Sequence, residues 1–393
     1  MNKKVDIVYV VASELGSIGM GSAAYSAVKG IDKSGKFSYK VFCRGHKKNA
    51  QINKKNLFSY GYLEYLSYPF RFLEKKLRMN INSFKFVNYI FGKKIYKNLP
   101  KCKIYHTWMG ISPEAVKKAK KNGAILVLEA ANSHPMNRLK ILNEEFRKFH
   151  RDEFLIDPKR QRENIEYMKM FDYILCPSDF VYDSFLEENF GKEKLIKMPY
   201  GVEFEKFNLK KDNPDKKFRA IFVGSIQLRK GLQYLLKAWE ELNLRNAELV
   251  VVGNVWPDGA KIFNKYKNNK TIAFHGFDSN LKELYKKSSV FVFPSIEEGS
   301  ALVNYEAMAS GLPVITTFNS GSIIRNNQEG FIIPIRDVKA LKEKIKYFYD
   351  NPKQAEKMGK SARKYVEKFT WEKYGERLVD FYENVLRKNN NLY

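Results

Sequence analysis

The chain has 393 residues, too many for one ordinary domain at roughly 150 residues each, and its 44% hydrophobic and 15% aromatic content is enough for sizeable cores. That composition excludes a disordered chain, and 23 Gly with 13 Pro exclude collagen-like or low-complexity character. The formal net charge is +27, and it is uneven: residues 1–150 hold 29 basic and 9 acidic side chains, residues 151–393 hold 41 and 34. A basic first part implies an anionic partner, which could be a phospholipid surface, a phosphate-bearing substrate or nucleic acid, unless a lysine-rich composition is the whole explanation.

The first strand is expected at 6–11, a continuous apolar run suited to a buried parallel strand. A loop with Gly16, Gly19 and Gly21 follows, then a helix carrying Ala23, Ala24, Ala27 and Val28. Alone, that glycine spacing does not spell a dinucleotide fingerprint; it reads either as a turn needing positive φ or as a loop whose amides approach a phosphate. Further strands are expected at 39–42, 104–106, 124–128 and 173–176, with helical stretches between most of them, so the order is that of βαβ units. The polar, Pro-containing run at 210–217 reads as an interdomain linker. A second alternating series has strands at 219–223, 248–252, 271–274, 290–293 and 314–316. After the first of these, Leu232, Leu235, Leu236, Trp239 and Leu242 recur at helical spacing. The fold class is therefore α/β, with two Rossmann-like domains facing a central cleft: 1–205, and 206–371. The amphipathic segment 372–390, with Leu378, Phe381, Tyr382 and Val385, is expected to fold back onto the first domain.

Three cysteines, Cys43, Cys102 and Cys176, far apart and odd in number, give neither a disulfide framework nor a Cys-x-x-Cys metal site, which points to a reducing compartment. The apolar stretch 7–12 is too short for a signal peptide, and no run nears the roughly 18 apolar residues of a spanning helix, so a cytoplasmic location is expected. Residues 62–103 interleave ten Lys/Arg, among them Lys75, Lys76, Lys93 and Lys94, with aromatics such as Tyr62, Tyr65, Tyr89 and Tyr96. That mixture suits an anionic membrane surface, or else helices with aromatic cores and solvated lysines; no recognition motif for nucleic acid accompanies it.

The most informative segment runs from Pro294 to Val314. It has strand–loop–helix–strand order, with Ser300 expected as the N-cap and Gly311-Leu312-Pro313 ending the helix. Glu298 stands in the loop and Glu306 is expected about two turns inside the helix. Such a helix start offers free N–H groups and the positive end of its dipole to a diphosphate. By spacing alone, these could equally be two surface glutamates.

The whole string resembles the Glu-x7-Glu signature of glycosyltransferase family 4, retaining enzymes of GT-B fold that use nucleotide sugars. Val223-Gly224-Ser225-Ile226-Gln227-Leu228-Arg229-Lys230-Gly231 resembles that family's phosphate-binding turn, and Phe274-His275-Gly276-Phe277 its base-side turn. Residues 199–203 resemble its domain junction, and 369–372 the start of its closing helix. The resemblance covers 199–386 well and the first half loosely. It implies that Lys230 neutralises the donor diphosphate and that Glu306 holds ribose hydroxyls. It implies too that Glu298 faces the sugar beside the backbone of Gly299, Ser300 and Ala301, with Leu302 and Val303 next in the donor wall. Gly224, Ser225, Gly276 and Phe277 complete the donor site, and Gly16, Gly19 and Gly21 approach from the other domain. His134, and with less support His106, would reach the donor sugar.

Two departures stand out. The family usually has Arg where Ser225 stands, so that Arg229 is a candidate for the missing charge. Its usual Phe-Gly is here Ser300-Ala301. There is no Asp-x-Asp and no ligand spacing among the five histidines, so no metal and no cofactor are expected. The resemblance implies transfer of a sugar from a nucleotide diphosphate to a saccharide or lipid-linked acceptor in cell-surface polysaccharide or glycolipid synthesis. The alternatives are a sugar-nucleotide epimerase or a sugar phosphorylase on the same fold and, more remotely, a nucleic-acid-binding protein.

Overall fold

Short apolar runs separated by amphipathic helices build two parallel sheets, each covered on both faces, as such runs require. The structure is a computed structural model and describes residues 4–47, 51–68, 83–207, 217–278 and 280–390. The first sheet holds β1 (Val5–Leu15), β2 (Tyr39–His46), β3 (Leu57–Ser59), β4 (Cys102–Trp108), β5 (Ile125–Glu129), β6 (Tyr173–Cys176) and β7 (Leu195–Lys197) in the order β3-β2-β1-β4-β5-β6-β7. The second holds β8 (Phe218–Val223), β9 (Ala247–Val252), β10 (Ile272–Gly276), β11 (Val290–Phe293), β12 (Val314–Thr317) and β13 (Gly330–Ile333) in the order β10-β9-β8-β11-β12-β13. Both sheets have their topological switch beside their first strand, which is where such sheets bind ligands.

Helices of the first domain are α1 (Met20–Ser34), α2 (Ser83–Asn98), α3 (Pro113–Lys121), α4 (Pro135–Lys148), α5 (Pro158–Lys169) and α6 (Asp179–Glu187). Those of the second are α7 (Leu232–Leu242), α8 (Ala260–Tyr266), α9 (Lys282–Lys287), α10 (Leu302–Ala309), α11 (Val338–Asp350) and α12 (Pro352–Val366). The sequence reading omits β3, β7 and β13. Each is a three- or four-residue strand at a sheet edge, too short for its own periodic signal. The run at 210–217 lies outside the described residues apart from Lys217.

The last helix, α13 (Trp371–Asn390), returns to the first domain. It crosses α1 where Gly30 meets Gly375; a Cβ on Gly30 would stand 2.6 Å from the Gly375 Cα. Beneath the crossing lies a buried polar network. Tyr374 donates to Glu129 Oε1 at 2.8 Å, His106 Nε2 lies 3.2 Å from Glu129 Oε2, and the Tyr382 hydroxyl is 2.5 Å from His106 Nδ1. The chain passes between domains twice, side by side: Val202 N–H donates to the Phe369 carbonyl at 3.0 Å, and Val202 pairs with Thr370.

Candidate functional site

A cavity of about 1660 Å³ opens between the carboxyl ends of the two sheets. Single-ligand pockets span about 300–1,000 Å³, so there is room for two substrates. The first domain contributes Gly16 and Gly19, with φ of 83° and 76°, at the turn between β1 and α1. Gly21 does not line the cavity. It lies in the first turn of α1, packed so tightly that a Cβ would overlap Ser17 and the Glu14 carbonyl.

On the other wall, Gly224, Ser225, Lys230, Phe277, Glu298, Ser300, Ala301, Leu302, Val303 and Glu306 all line the cavity. β8 and β11 are hydrogen-bonded neighbours, which brings the turns after them together. Gly231 lets the first turn fit beneath the second: its φ is 69°, and a Cβ would overlap the Pro294 carbonyl. Gly276 supports the wall without lining it, with φ 67° and its carbonyl accepting from Gly253 N–H at 2.6 Å. The next residue, Phe277, is 60% exposed and stands free in the cleft.

Lys230 donates to Glu298 Oε1, and Arg229 Nη1 lies 2.9 Å from the same oxygen. Ser295 Oγ is 3.4 Å from it. All three act on Oε1, which leaves Oε2 without a partner among the described residues. Burial pushes the Glu298 carboxyl upward, but Arg229 and Lys230 outweigh it and hold its pKa below the ordinary value. Lys230 is lowered, by burial and by Arg229, against the pull of Glu298. Among the described residues no cation pairs with Glu306. Burial raises it to about 7, opposed by the Tyr285 hydroxyl 3.4 Å away and assisted by Glu203.

Several sequence expectations need correction. The N-cap of α10 is Ala301, not Ser300; the Ser300 hydroxyl donates to the Gly321 carbonyl at 3.0 Å and meets Tyr305. Because α10 begins at Leu302, Glu306 is one turn inside it rather than two. The Ala301 N–H is already used, donating to the Ser320 carbonyl at 3.0 Å, so among the described residues the first-turn amides of Leu302 and Val303 are the unpaired donors of the helix start. Gly299 does not line the cavity. It packs against the first domain, where a Cβ would overlap the Ala131 carbonyl, and its own carbonyl accepts from Ser178 Oγ at 2.5 Å.

Neither histidine reaches the cavity. His134 caps α4, its Nδ1 accepting from Met136 N–H at 3.3 Å, and its ring lies between Phe185 and Phe190. Burial lowers its pKa to about 4. His106 belongs to the network beneath α13. Arg229 is not a solvated loop residue, and it does not line the cavity; it stands behind Glu298.

Sequence reasoning missed Trp256, which lines the cavity at 53% exposure from the turn after β9, and Lys29 and Lys47 on the opposite wall. The signal for Trp256 was present, a large aromatic in a Gly-Asn-Val-Trp-Pro turn just past a strand. It missed Glu297 as well, which is fully buried and accepts from Ser133 of the first domain. Among the described residues, no group of three or more His, Cys, Asp or Glu is placed to hold a metal ion.

The capsular polysaccharide biosynthesis glycosyltransferase CapM of Staphylococcus aureus is 28% identical over 237 residues, 55% of this chain and 62% of that protein. Spore coat protein SA of Bacillus subtilis is 30% identical over 180 residues, 42% of this chain and 48% of that protein. The chain thus spans about half to three-fifths of the curated relatives it matches. Among solved structures, sucrose-phosphate synthase from Thermosynechococcus elongatus superposes with TM-score 0.69 and 17% identity, covering 98% of this chain and all of that one. HepE from Anabaena, in complex with UDP and glucose, superposes with TM-score 0.68 and 12% identity, covering 96% of this chain and all of that one. These likenesses show the two-domain GT-B fold. The family model of glycosyl transferases group 1 matches residues 203–365, which take in most of the second domain. The likeness to that family lies in the second domain and takes in less than half of the chain.

Proposed function

We propose that this protein is a retaining, hexosyltransferase-type glycosyltransferase. It moves a sugar from a nucleotide diphosphate to a hydroxyl of a saccharide or lipid-linked acceptor, in cell-surface polysaccharide or glycolipid synthesis. One observation carries the reading: Glu298, Glu306 and Lys230 face one cavity around the free amides at the start of α10. Those amides and Lys230 suit a diphosphate, Glu306 suits ribose hydroxyls, and the free Oε2 of Glu298 suits a sugar hydroxyl. Phe277 supplies an exposed ring for the base. HepE, with UDP and glucose bound, and CapM, named for capsular polysaccharide biosynthesis, support donor and pathway class.

With Glu298 given to a sugar hydroxyl and Glu306 to the ribose, no cavity carboxylate among the described residues is assigned to covalent attack, and front-face substitution is the favoured route. The bond from the anomeric carbon to the phosphate oxygen breaks as the bond to the acceptor oxygen forms, and the leaving phosphate oxygen takes the acceptor proton. Lys230 and the α10 amides offset the leaving group's charge. Turnover is expected to survive excess EDTA; abolition by EDTA with rescue by Mg²⁺ or Mn²⁺ would overturn the metal-independent route.

We place the enzyme in the cytoplasm, peripheral at the inner face of the plasma membrane. No described helix is long and apolar enough to cross a membrane. Exposed Tyr62, Tyr65 and Tyr68, with Tyr89 and Tyr96 of α2, offer aromatics at headgroup depth, while Val87, Phe91 and Ile95 turn into the core. Arg71, Lys75, Lys76 and Arg78 lie outside the described residues. The deciding measurement is thermal shift across UDP-, GDP-, ADP- and CMP-sugars: a ligand at 100 times its Kd stabilises by about 2.7 kcal/mol. A panel with no shift, and no sugar transfer to any acceptor, would sink the reading.

A further inference from the structure

Lys230 has two claims on it. In the structure it is paired with Glu298 Oε1, whereas the donor reading gives it to the diphosphate. A buried carboxylate left without a partner is costly, so something must keep Glu298 ionised and in place when Lys230 turns away. Arg229 is the group at hand. Its Nη1 lies 2.9 Å from the same Oε1, and it stays out of the cavity, where no diphosphate would draw it off.

The guanidinium is itself held. Nη1 donates to the Glu297 carbonyl at 3.0 Å and lies 3.7 Å from Glu297 Oε2. Buried Asp258, whose carboxylate accepts from Leu228 N–H at 2.9 Å, adds negative charge nearby. Glu297 is fixed from the other domain: Oε1 accepts from Ser133 N–H at 3.1 Å and Ser133 Oγ at 2.9 Å, and Arg138 Nε stands 3.6 Å from Oε2. The chain of contacts thus runs from the loop before α4, across the domain boundary, to the carboxylate in the cleft.

We propose that Arg229 is a positioning residue that retains Glu298 after Lys230 has turned to the donor diphosphate, and that Glu297, anchored by Ser133, keeps Arg229 in place. This rests on the donor-site reading above. It assigns Arg229 a task other than replacing, at the diphosphate, the arginine that Ser225 displaces. The charged groups facing Glu298 are Arg229, Lys230 and, through Arg229, Glu297 and Asp258. Both cations pull the Glu298 carboxyl down against its burial, and the Coulombic pull of Arg229 is the largest single contribution among them.

The test is Arg229→Met, with Arg229→Lys as rescue, in two measurements. Calorimetry reads affinity for UDP, GDP and ADP, and kcat is followed from pH 5 to 9 with the nucleotide sugar the panel selects. Affinity for the preferred nucleoside diphosphate should stay within about threefold of wild type, while kcat falls about tenfold or more. The acid limb of kcat should move to higher pH. Without Arg229 the carboxyl pKa rises, so Glu298 is protonated at pH values where it was ionised. Arg229→Lys should restore most of both. Ser133→Ala, across the boundary, should move the limb the same way by less, and it carries the test if Arg229→Met does not fold. Loss of nucleoside-diphosphate affinity by about tenfold with an unmoved limb would mean that Arg229 contacts phosphate, and the proposal fails. An unmoved limb in Ser133→Ala removes the interdomain half. A wild type that binds no nucleoside diphosphate overturns the donor-site reading and this assignment together, whereas the variant outcomes overturn the assignment alone.

Discussion

Glu306 sits one turn inside α10 with no cation beside it among the described residues, and burial raises it to about 7. On the donor reading it must be ionised to accept from ribose hydroxyls. Donor binding should therefore weaken as pH falls below about 7, by up to roughly tenfold per unit, and flatten above it. Glu306→Gln should raise donor KM at pH 8 and erase that dependence; a pH–KM profile identical to wild type would take Glu306 out of the site. Lys230 differs because its loss removes a charge-assisted contact at every pH. Lys230→Ala should weaken binding of the nucleoside diphosphate by about 1.5–3 kcal/mol, read by calorimetry. Unchanged affinity would exclude it. Arg229 still neutralises Glu298 in that variant, so folding should survive.

At the scale of elements, the site depends on close backbone approaches. β8 and β11 bring two turns together, and Gly231 lets one pass beneath the other. The α1–α13 crossing at Gly30 and Gly375 holds the returning helix against the first domain and seats Tyr374 and Tyr382 on the Glu129–His106 network. Overpacking such a contact costs about 1–3 kcal/mol, so Gly375→Val should lower the denaturation midpoint by that equivalent. A midpoint equal to wild type would show that the two helices separate at no cost.

For the whole molecule, the domains meet away from the hinge as well. Fully buried Glu145 on α4 accepts from three groups of the second domain: Gln233 Nε2 at 2.8 Å, the Tyr234 hydroxyl at 2.8 Å and Arg336 Nε at 2.7 Å. Arg336 adopts a left-handed φ of 65° to make the contact, a conformation that persists only where its surroundings impose it. Removing one partner of such a buried pair costs about 3–5 kcal/mol, so Glu145→Ala should destabilise by that much. Glu144, largely exposed and 3.0 Å from the same Arg336, should cost at most about 1 kcal/mol when replaced by Ala. Equal losses from both would mean that the buried clamp is not what joins the domains. The surface charge is tested on lipid. The protein should co-sediment with vesicles of anionic lipid and not with neutral ones. Changing Lys75, Lys76, Lys93 and Lys94 to Ser should release it, at about 1 kcal/mol per lysine near the surface. Wild type that ignores anionic vesicles at low salt would give the charge another purpose.

Much of this architecture was legible in the order of residues. Apolar runs at 219–223 and 290–293, and the periodic leucines of α7, carry local signals that do not depend on the rest of the chain. Glu298, Glu306 and Lys230 were legible through the resemblance of their strings to a known family, because by spacing alone the two glutamates read equally as surface residues; the structure brings all three to one wall. Edge strands β3, β7 and β13 were not legible, because three or four residues carry no periodicity and pair only when a neighbouring strand is already in place. Nor were the places of His134, Arg229 and Glu297. Each was one charged or titratable residue in a loop, and its partners come from distant segments: Phe185 and Phe190 for His134, Glu298 for Arg229, and Ser133 of the other domain for Glu297. Local chemistry is written along the chain, but burial and charge pairing are properties of contacts between segments far apart in sequence, 68 residues for Lys230 and Glu298 and 164 for Ser133 and Glu297, and those only the tertiary structure decides.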